Sequence, residues 1–298
     1  MSALVSLLLP TRGRPALAER FLRSAAEQAE RREAVEVVVY ADEDDPLSHV
    51  LDAAGLACTT IVGPRATMGT LNSACLARSR GEIVVLCNDD IVIRTPGWDR
   101  RLRETHAALP DGVYLAYPND LFKGRKLCAF PMLSRAACDL LGEPFPRAYK
   151  GAFIDYHLLD IFKRLEKRGT PRLVYLEDVV FEHMHYRTGK SAYDDTYRTR
   201  GRFDDDDTFI ALRGERSEGA ARLARRIDPL SPGAAPRRTR APVRPRPNLP
   251  MRLVDFARAL LPDAELPLRW RLFLVAWFAG RTLGAKGYLP GLQRRRSG

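Results

Sequence analysis

Three side chains able to grip a metal ion stand together in the sequence: Asn88, Asp89 and Asp90 follow directly on the apolar run Ile83-Val84-Val85-Leu86-Cys87. A continuous run of that length, rich in β-branched residues, reads as a strand buried on both faces. In an open α/β sheet, ligands bind at the carboxyl ends of such strands. Oxygen donors there are placed to hold a divalent cation against a phosphate. Taken alone, the triplet reads as a solvated turn before it reads as a metal site. Two other groups give it company. A second acidic cluster, Asp42 to Asp45, follows the apolar run Val35 to Tyr40. His183 and His185 stand two apart on a strand-like stretch, where the alternation of side chains points both to one face.

The elements that must position these groups alternate from the start of the chain. Val5 to Leu9 reads as a buried strand, followed by the turn Thr11-Arg12-Gly13-Arg14-Pro15 and a helix with Pro15 near its first position, running to about Arg32. Val35 to Tyr40 is a second strand, Leu47 to Ala54 a helix, Thr59 to Val62 a short strand and Met68 to Arg80 a helix leading into the strand at Ile83. A helix over Asp99 to Ala108, a strand over Val113 to Tyr117, a strand-like Leu127 to Leu133 and a short helix over Arg135 to Leu141 come next. Gly142 to Gly151 reads as a loop, Ala152 to Lys167 as a helix carrying Asp155 and Asp160, Arg172 to Phe181 as a strand, and Thr208 to Arg226 as a closing helix. Such alternation predicts a mostly parallel sheet with helices on both faces.

Charge divides the chain. The net charge is +11, yet residues 228–298 hold 14 Lys and Arg against 4 Asp and Glu, leaving 34 against 33 in residues 1–227. The basic character belongs to the tail, which argues against a specific nucleic-acid partner and for a tail that meets an acidic surface such as a membrane. Residues 228–250 are rich in Pro, Arg and Ala and read as a linker. Residues 251–298 read as basic amphipathic helices, with Trp270, Phe273, Trp277 and Phe278 as the expected membrane-facing group. The longest apolar run there, Leu272 to Gly280, has nine residues, whereas a spanning helix needs about 20. The five cysteines are odd in number and form no CxxC pair, which predicts buried thiols of a cytosolic protein. Only seven apolar residues precede Pro10, with no basic residue ahead of them, so the N-terminus reads as a first strand rather than a signal peptide. The expected location is cytoplasmic, peripheral at the inner face of the cell membrane.

With these residues in view, the sequence resembles the GT-A-fold glycosyltransferases of the family 2 kind over roughly residues 3–200. SLLLPTRGRP, an acidic residue after the second strand, the block MGTLNSACLARSRGEIVVLCNDDIVIRTPGW and a late strand ending in His carry the resemblance. It implies a Rossmann-like GT-A domain over residues 1–227, followed by the linker and the helical tail. It also implies a nucleotide-diphosphate-sugar donor, a glycan, lipid or small-molecule acceptor, and Mn²⁺ or Mg²⁺ to neutralise the departing diphosphate. By the resemblance Asp90 is the metal carboxylate and Asn88 replaces the first Asp of a DxD motif. His183 and His185 supply the third ligand, with His183 preferred. Thr11, Arg14, Asp42, Asn72, Asn88 and Asp89 would face the nucleotide sugar, and Lys190 and Arg187 would hold its diphosphate. Asp155 is the implied base of an inverting transfer, with Asp160 and Asp178 as fallbacks. Two other readings stay open: a non-catalytic module that binds a sugar nucleotide or glycan, and a nucleotidyltransferase, for which TRGRP is a poor phosphate loop.

Overall fold

Alternating apolar strands and amphipathic helices form a single mixed sheet in the computed structural model, which describes residues 3–191, 194, 201, 203–229, 245 and 247–288. The elements in chain order are β1 (Val5–Thr11), α1 (Pro15–Gln28), β2 (Val35–Asp42), β3 (Ala57–Gly63), α2 (Met68–Arg78), β4 (Ile83–Leu86), β5 (Ile91–Ile93) and α3 (Trp98–Ala107). Next come β6 (Leu115–Asn119), β7 (Met132–Ser134), α4 (Arg135–Leu141), α5 (Ile154–Lys167) and β8 (Leu173–His183). The strand order is β3-β2-β1-β4-β7-β6-β8-β5. β1 pairs in parallel with both β2 and β4, β2 with β3, and β6 with β8, while β7 and β5 run antiparallel to their neighbours. The chain moves outward from β1 through β2 to β3 and then returns to the other side of β1 as β4. This reversal opens a crevice at the carboxyl ends of β1 and β4, the place where doubly wound sheets bind ligands.

The sequence explains the local choices. Val5, Leu7, Leu8, Leu9, Val37, Val39, Val84 and Val85 are all fully buried, as a continuous apolar run on a two-sided sheet requires. Gly81 precedes β4 because a Cβ there would lie 2.4 Å from Ser6 Oγ and 2.7 Å from Ser6 N. Ser6, Arg80 and Gly81 surround the buried carboxylate of Glu36, which accepts from the Ser6 hydroxyl and the Arg80 amide. The Pro-Gly-Trp turn is a structural lock. Gly97 takes φ +69°, Trp98 is wholly buried with its Nε1 donating to the Ala25 carbonyl at 3.1 Å, and Asp99 accepts the Glu30 and Arg31 amides just beyond α1.

Some expectations need correction. No α-helix forms over residues 47–54, where only a 3₁₀ turn, Pro46–Ser48, is present. Leu47 and Val50 are exposed, and only Leu51 and Ala54 of this stretch pack against the core, too little apolar surface to hold a helix. The expected Thr208–Arg226 helix is two helices, α6 (Asp206–Ala211) and α7 (Arg213–Ile227), and at the break the Phe209 carbonyl accepts from Arg216 at 2.6 Å. Ile91–Ile93, to which the sequence assigns no element, forms the separate strand β5. Cys75, Cys87, Cys128 and Cys138 are buried free thiols, as expected, but Cys58 is exposed.

The chain divides into two compact units, Met1–Leu159 with Arg172–Arg200, and Asp160–Pro171 with Gly201–Gly298. The first contains the sheet. The second contains the later turns of α5, α6, α7, α8 (Leu249–Leu260) and α9 (Leu268–Ala285). Its core gathers Phe209, Phe256 and Phe278, with ring centroids 5.2 to 5.5 Å apart. Beside them lies a buried ion network. Asp160 accepts from Arg164 Nε at 3.2 Å, Arg216 Nε at 2.8 Å and Trp270 Nε1 at 2.8 Å, and Arg164 also reaches Asp263 and Glu265. Most of the expected linker, and the terminal arginines 294–296, fall outside the described residues. No helix among the described residues is long and apolar enough to cross a membrane.

Candidate functional site

The crevice between β1 and β4 is crossed by side chains from both banks. Thr11, the last residue of β1, donates its hydroxyl to Asp89 Oδ2 at 3.0 Å, and Arg14 Nη1 reaches Asp89 Oδ1 at 3.1 Å. Burial is the main influence on Asp89 and pushes its pKa up to about 6; Arg14 draws it down and Asp90 pushes it further up. The other arm of Arg14 is held by Asp194, at 2.7 and 2.5 Å. On the β2 side, buried Asp42 accepts from Arg12 Nη1 at 2.6 Å, and Arg12 Nη2 reaches Asp44 at 2.8 Å. Asp45 fixes the two loops together by accepting from the Gly13 amide and the Ser48 hydroxyl. Arg12 had no role in the sequence reading. Its signal was its position in a short basic turn facing an acidic strand end.

Across from Asp89, the pairing of β5 with β8 sets the second half of the site. Ile91 is opposite His183, and the Met184 amide donates to the Asp90 carbonyl at 2.8 Å. Asp90 Oδ2 and His183 Nε2 are thereby brought to 3.3 Å, both side chains being largely buried. The His183 ring is packed between Phe130, at 5.1 Å, and Phe122, at 5.9 Å, and its Nδ1 is buried with no hydrogen-bond partner among the described residues. The His183 amide donates to the Asp120 carbonyl at 3.1 Å. Asp120 itself is buried: Oδ1 collects the Phe122, Lys123 and Gly124 amides, and Oδ2 lacks a partner among the described residues. It is a site residue that its type and place at a strand end could have flagged.

The remaining expected residues are distributed as follows. Asn88 is exposed, its side chain turned to solvent beside the buried Asp89 and Asp90. Asn72 is buried on α2, its Nδ2 donating to the Met68 carbonyl at 2.9 Å while Oδ1 has no partner among the described residues. His185 stacks on Phe122 and on Tyr186, and its Nδ1 accepts the Arg187 amide at 3.1 Å. Lys190 is committed to Glu182 at 2.6 Å. Asp155 is half-buried in the first turn of α5, its Oδ1 accepting the Tyr156 amide. The two fallback bases are placed otherwise. Asp160 is fully buried in the second unit's ion network, and Asp178 is an exposed partner of Arg101 at 2.8 Å.

Charge and strain tie Asp155 to the His183 cluster. Lys123 lies 4.4 Å from the centre of the Phe122 ring, and burial and Arg187 lower its pKa, with Asp120 and Asp155 pulling it back up. Among the described residues, four other than glycine take a left-handed backbone, and three of them flank this region: Leu121 (φ +53°) follows Asp120, Phe130 (φ +55°) touches His183, and Phe153 (φ +73°) stands two residues before Asp155. Such conformations cost about 1–2 kcal/mol each for a side chain with a Cβ, and they concentrate where geometry matters more than stability.

Chemically, the Asp90–His183 pair fits a divalent ion held in company with a ligand. Two adjacent ligands on an octahedral ion with bonds of about 2.1 Å stand about 3 Å apart, close to the observed 3.3 Å. Among the described residues no group of three or more His, Cys, Asp or Glu side chains forms a complete cage.

No protein-family model matches the chain, and no curated protein matches it. Solved structures do. Staphylococcus aureus TarS superimposes with a TM-score of 0.50 at 12% identity, over 94% of this chain and 54% of that one. The chain has a GT-A fold. It spans about half the length of the TarS chain. Two further structures are similar to this GT-A chain at lower scores. The mannosyltransferase PcManGT of Pyrobaculum calidifontis, solved with GDP-Man and Mn²⁺, has a TM-score of 0.44 and 20% identity over 97% of this chain and 77% of its own. Mycobacterium tuberculosis glucosyl-3-phosphoglycerate synthase, solved with Mg²⁺ and UDP, has a TM-score of 0.41 and 18% identity over 75% of this chain and 79% of its own.

Proposed function

We propose that this protein is a metal-dependent, inverting glycosyltransferase that moves a sugar from a nucleotide-diphosphate-sugar donor to a glycan, lipid or small-molecule acceptor. The observation that carries the reading is the Asp90–His183 pair, 3.3 Å apart at the crevice of a GT-A fold, facing an Asp89 already cross-linked to Thr11 and Arg14. Asp90 and His183 would hold Mn²⁺ or Mg²⁺, with His185 the alternative ring. When bound, the ion supplies positive charge to the oxygens of the departing diphosphate. A two-ligand protein site suits an ion that arrives with phosphates and keeps its waters.

The protein's own residues do the rest. Asp42 would accept from the nucleoside, and Thr11, Arg14, Asn88 and Asp89 would line the path of the donor. Asn72 offers it a buried, unmet carbonyl oxygen. Lys190 would exchange Glu182 for the diphosphate. Asp155 would take the proton of the acceptor hydroxyl as its oxygen bonds to the anomeric carbon and the electron pair of the broken C–O bond leaves with the diphosphate. A single displacement of this kind inverts the anomeric centre. Residues 1–227 would carry this chemistry, and the basic tail, residues 251–298 beyond the 228–250 linker, would bring it to an anionic membrane surface on the cytoplasmic side.

The test is release of nucleotide diphosphate from UDP- and GDP-sugars, with Mn²⁺ and with chelator. Turnover that stops on chelation is expected. Tight nucleotide-sugar binding without turnover of any donor overturns the enzyme and leaves a binding module.

A further inference from the structure

Two of the tail's aromatic residues are not part of its exposed surface. Trp270 donates to Asp160 and is nearly buried, and Phe278 is wholly buried between Phe209 and Phe256. The expected membrane-facing group is therefore divided, with two of its four members in the core. A different set of large apolar residues is turned outward. Met251, Val254 and Leu261 on or next to α8, and Leu268, Leu272 and Phe273 on α9, are between 38% and 57% exposed. Spacings of three and seven place the α8 set on one side of its helix, and a spacing of four does so for Leu268 and Leu272, with Phe273 about 100° further round α9.

The two helices pack against each other. Phe256 meets Phe278, while the Leu261 carbonyl accepts from Arg271 at 2.6 Å, so the helices run antiparallel. Leu261 thus lies by the first turns of α9, which carry Leu268 and Leu272. Charge is sorted on the same scaffold. Asp255 is buried, and Asp263 and Glu265 are turned to Arg164 and Arg168, while Arg258 and Arg269 are exposed beside the apolar residues. An apolar stripe flanked by cations, with the acids turned away, matches a lipid interface with anionic headgroups. A protein partner would need a fitted shape, whereas a bilayer needs only this sorting of apolar and basic groups.

We infer that the α8–α9 hairpin docks on an anionic bilayer through Leu261, Leu268, Leu272 and Phe273, with Arg258 and Arg269 at the headgroups. This rests on the reading of the tail as a membrane-docking segment and names the face that performs it. The face lies parallel to the bilayer, since neither helix is apolar enough to enter it end-on.

The experiment is co-sedimentation of the full chain with phosphatidylcholine vesicles, with and without phosphatidylglycerol, alongside light scattering of the free protein. The wild type should bind only the anionic vesicles. The triple variant Leu268→Gln, Leu272→Gln, Phe273→Gln, checked for native circular dichroism, should bind about tenfold or more weakly, and Arg258→Gln with Arg269→Gln should weaken binding by a similar factor. Because all five positions are exposed, the variants should fold. Absence of binding to any vesicle overturns both the face and the tail reading. Binding by the wild type that the triple variant retains in full overturns the face and leaves the tail reading standing. A wild-type dimer that the triple variant converts to monomer, without vesicle binding, makes the face a contact between two copies of the chain and overturns the inference.

Discussion

Two regions of this molecule bury carboxylates beside arginines, and they do so with opposite electrostatic results. In the crevice, burial dominates at Asp89: Thr11 and Arg14 do not fully offset it, Asp90 adds repulsion, and the pKa is pushed up to about 6. In the second unit Asp160 is buried more completely, yet Arg164, Arg216 and the Trp270 N–H outweigh the burial and hold it below the usual carboxylate range. The network more than offsets the burial of its carboxylate; the crevice does not. A protein tuned only for stability would not leave Asp89 in that condition. Under the proposed function, a cation brought in with a phosphate ligand would complete the balance that Arg14 leaves open.

The contrast can be broken most directly at Asp90. Asp90→Ala should reduce transfer by about a thousandfold or more, the scale of removing an electrostatic clamp, while thermal unfolding shows no loss of stability. A large loss of stability would mean that the crevice is a structural network like the other. The reciprocal change, Asp160→Ala, strands two buried guanidinium groups and should cost about 3–5 kcal/mol in urea unfolding. A cost below about 1 kcal/mol would show that the network is not a stabilising unit.

Acid sharpens the same comparison. Because the folded pKa of Asp160 lies below the unfolded value of about 3.9, its contribution is fully present above that value and is lost as pH falls through the folded one. The stability gap between wild type and Asp160→Asn should therefore be constant near neutrality and close below about pH 4. A gap that does not close would remove the linkage. The smallest effect is expected at Asp178→Asn, where an exposed pair with Arg101 is lost: under about 1 kcal/mol, with transfer unchanged. A loss of turnover there would reinstate Asp178 as a base in place of Asp155.

How much of this was legible in sequence follows from the range of each interaction. The α/β alternation, the buried β1, β2 and β4, and the acidic strand ends could be read because apolar runs and their punctuation are local. β5 could not, since three residues become a strand only by pairing with β8, some 90 residues away. Asp120 was passed over for a similar reason: a lone Asp after a strand gains meaning only when a loop wraps three amides around it. The tail aromatics had the right helical spacing and the wrong partner in view, because Trp270 hydrogen-bonds a carboxylate 110 positions earlier. The Asp90–His183 pairing was legible only through the resemblance, as nothing local in either segment selects the other.

The left-handed Leu121, Phe130 and Phe153 bear on engineering. Each is an inviting place to put glycine, and relief of the backbone would favour the folded chain by about 1 kcal/mol wherever little packing is lost. Leu121, half exposed, fits that description best. The same substitution would free the segment that carries Asp120 to adopt other shapes. A screen for heat resistance alone would thus be drawn toward the positions that keep the crevice in register, and the hardiest variants would be expected among the slowest catalysts.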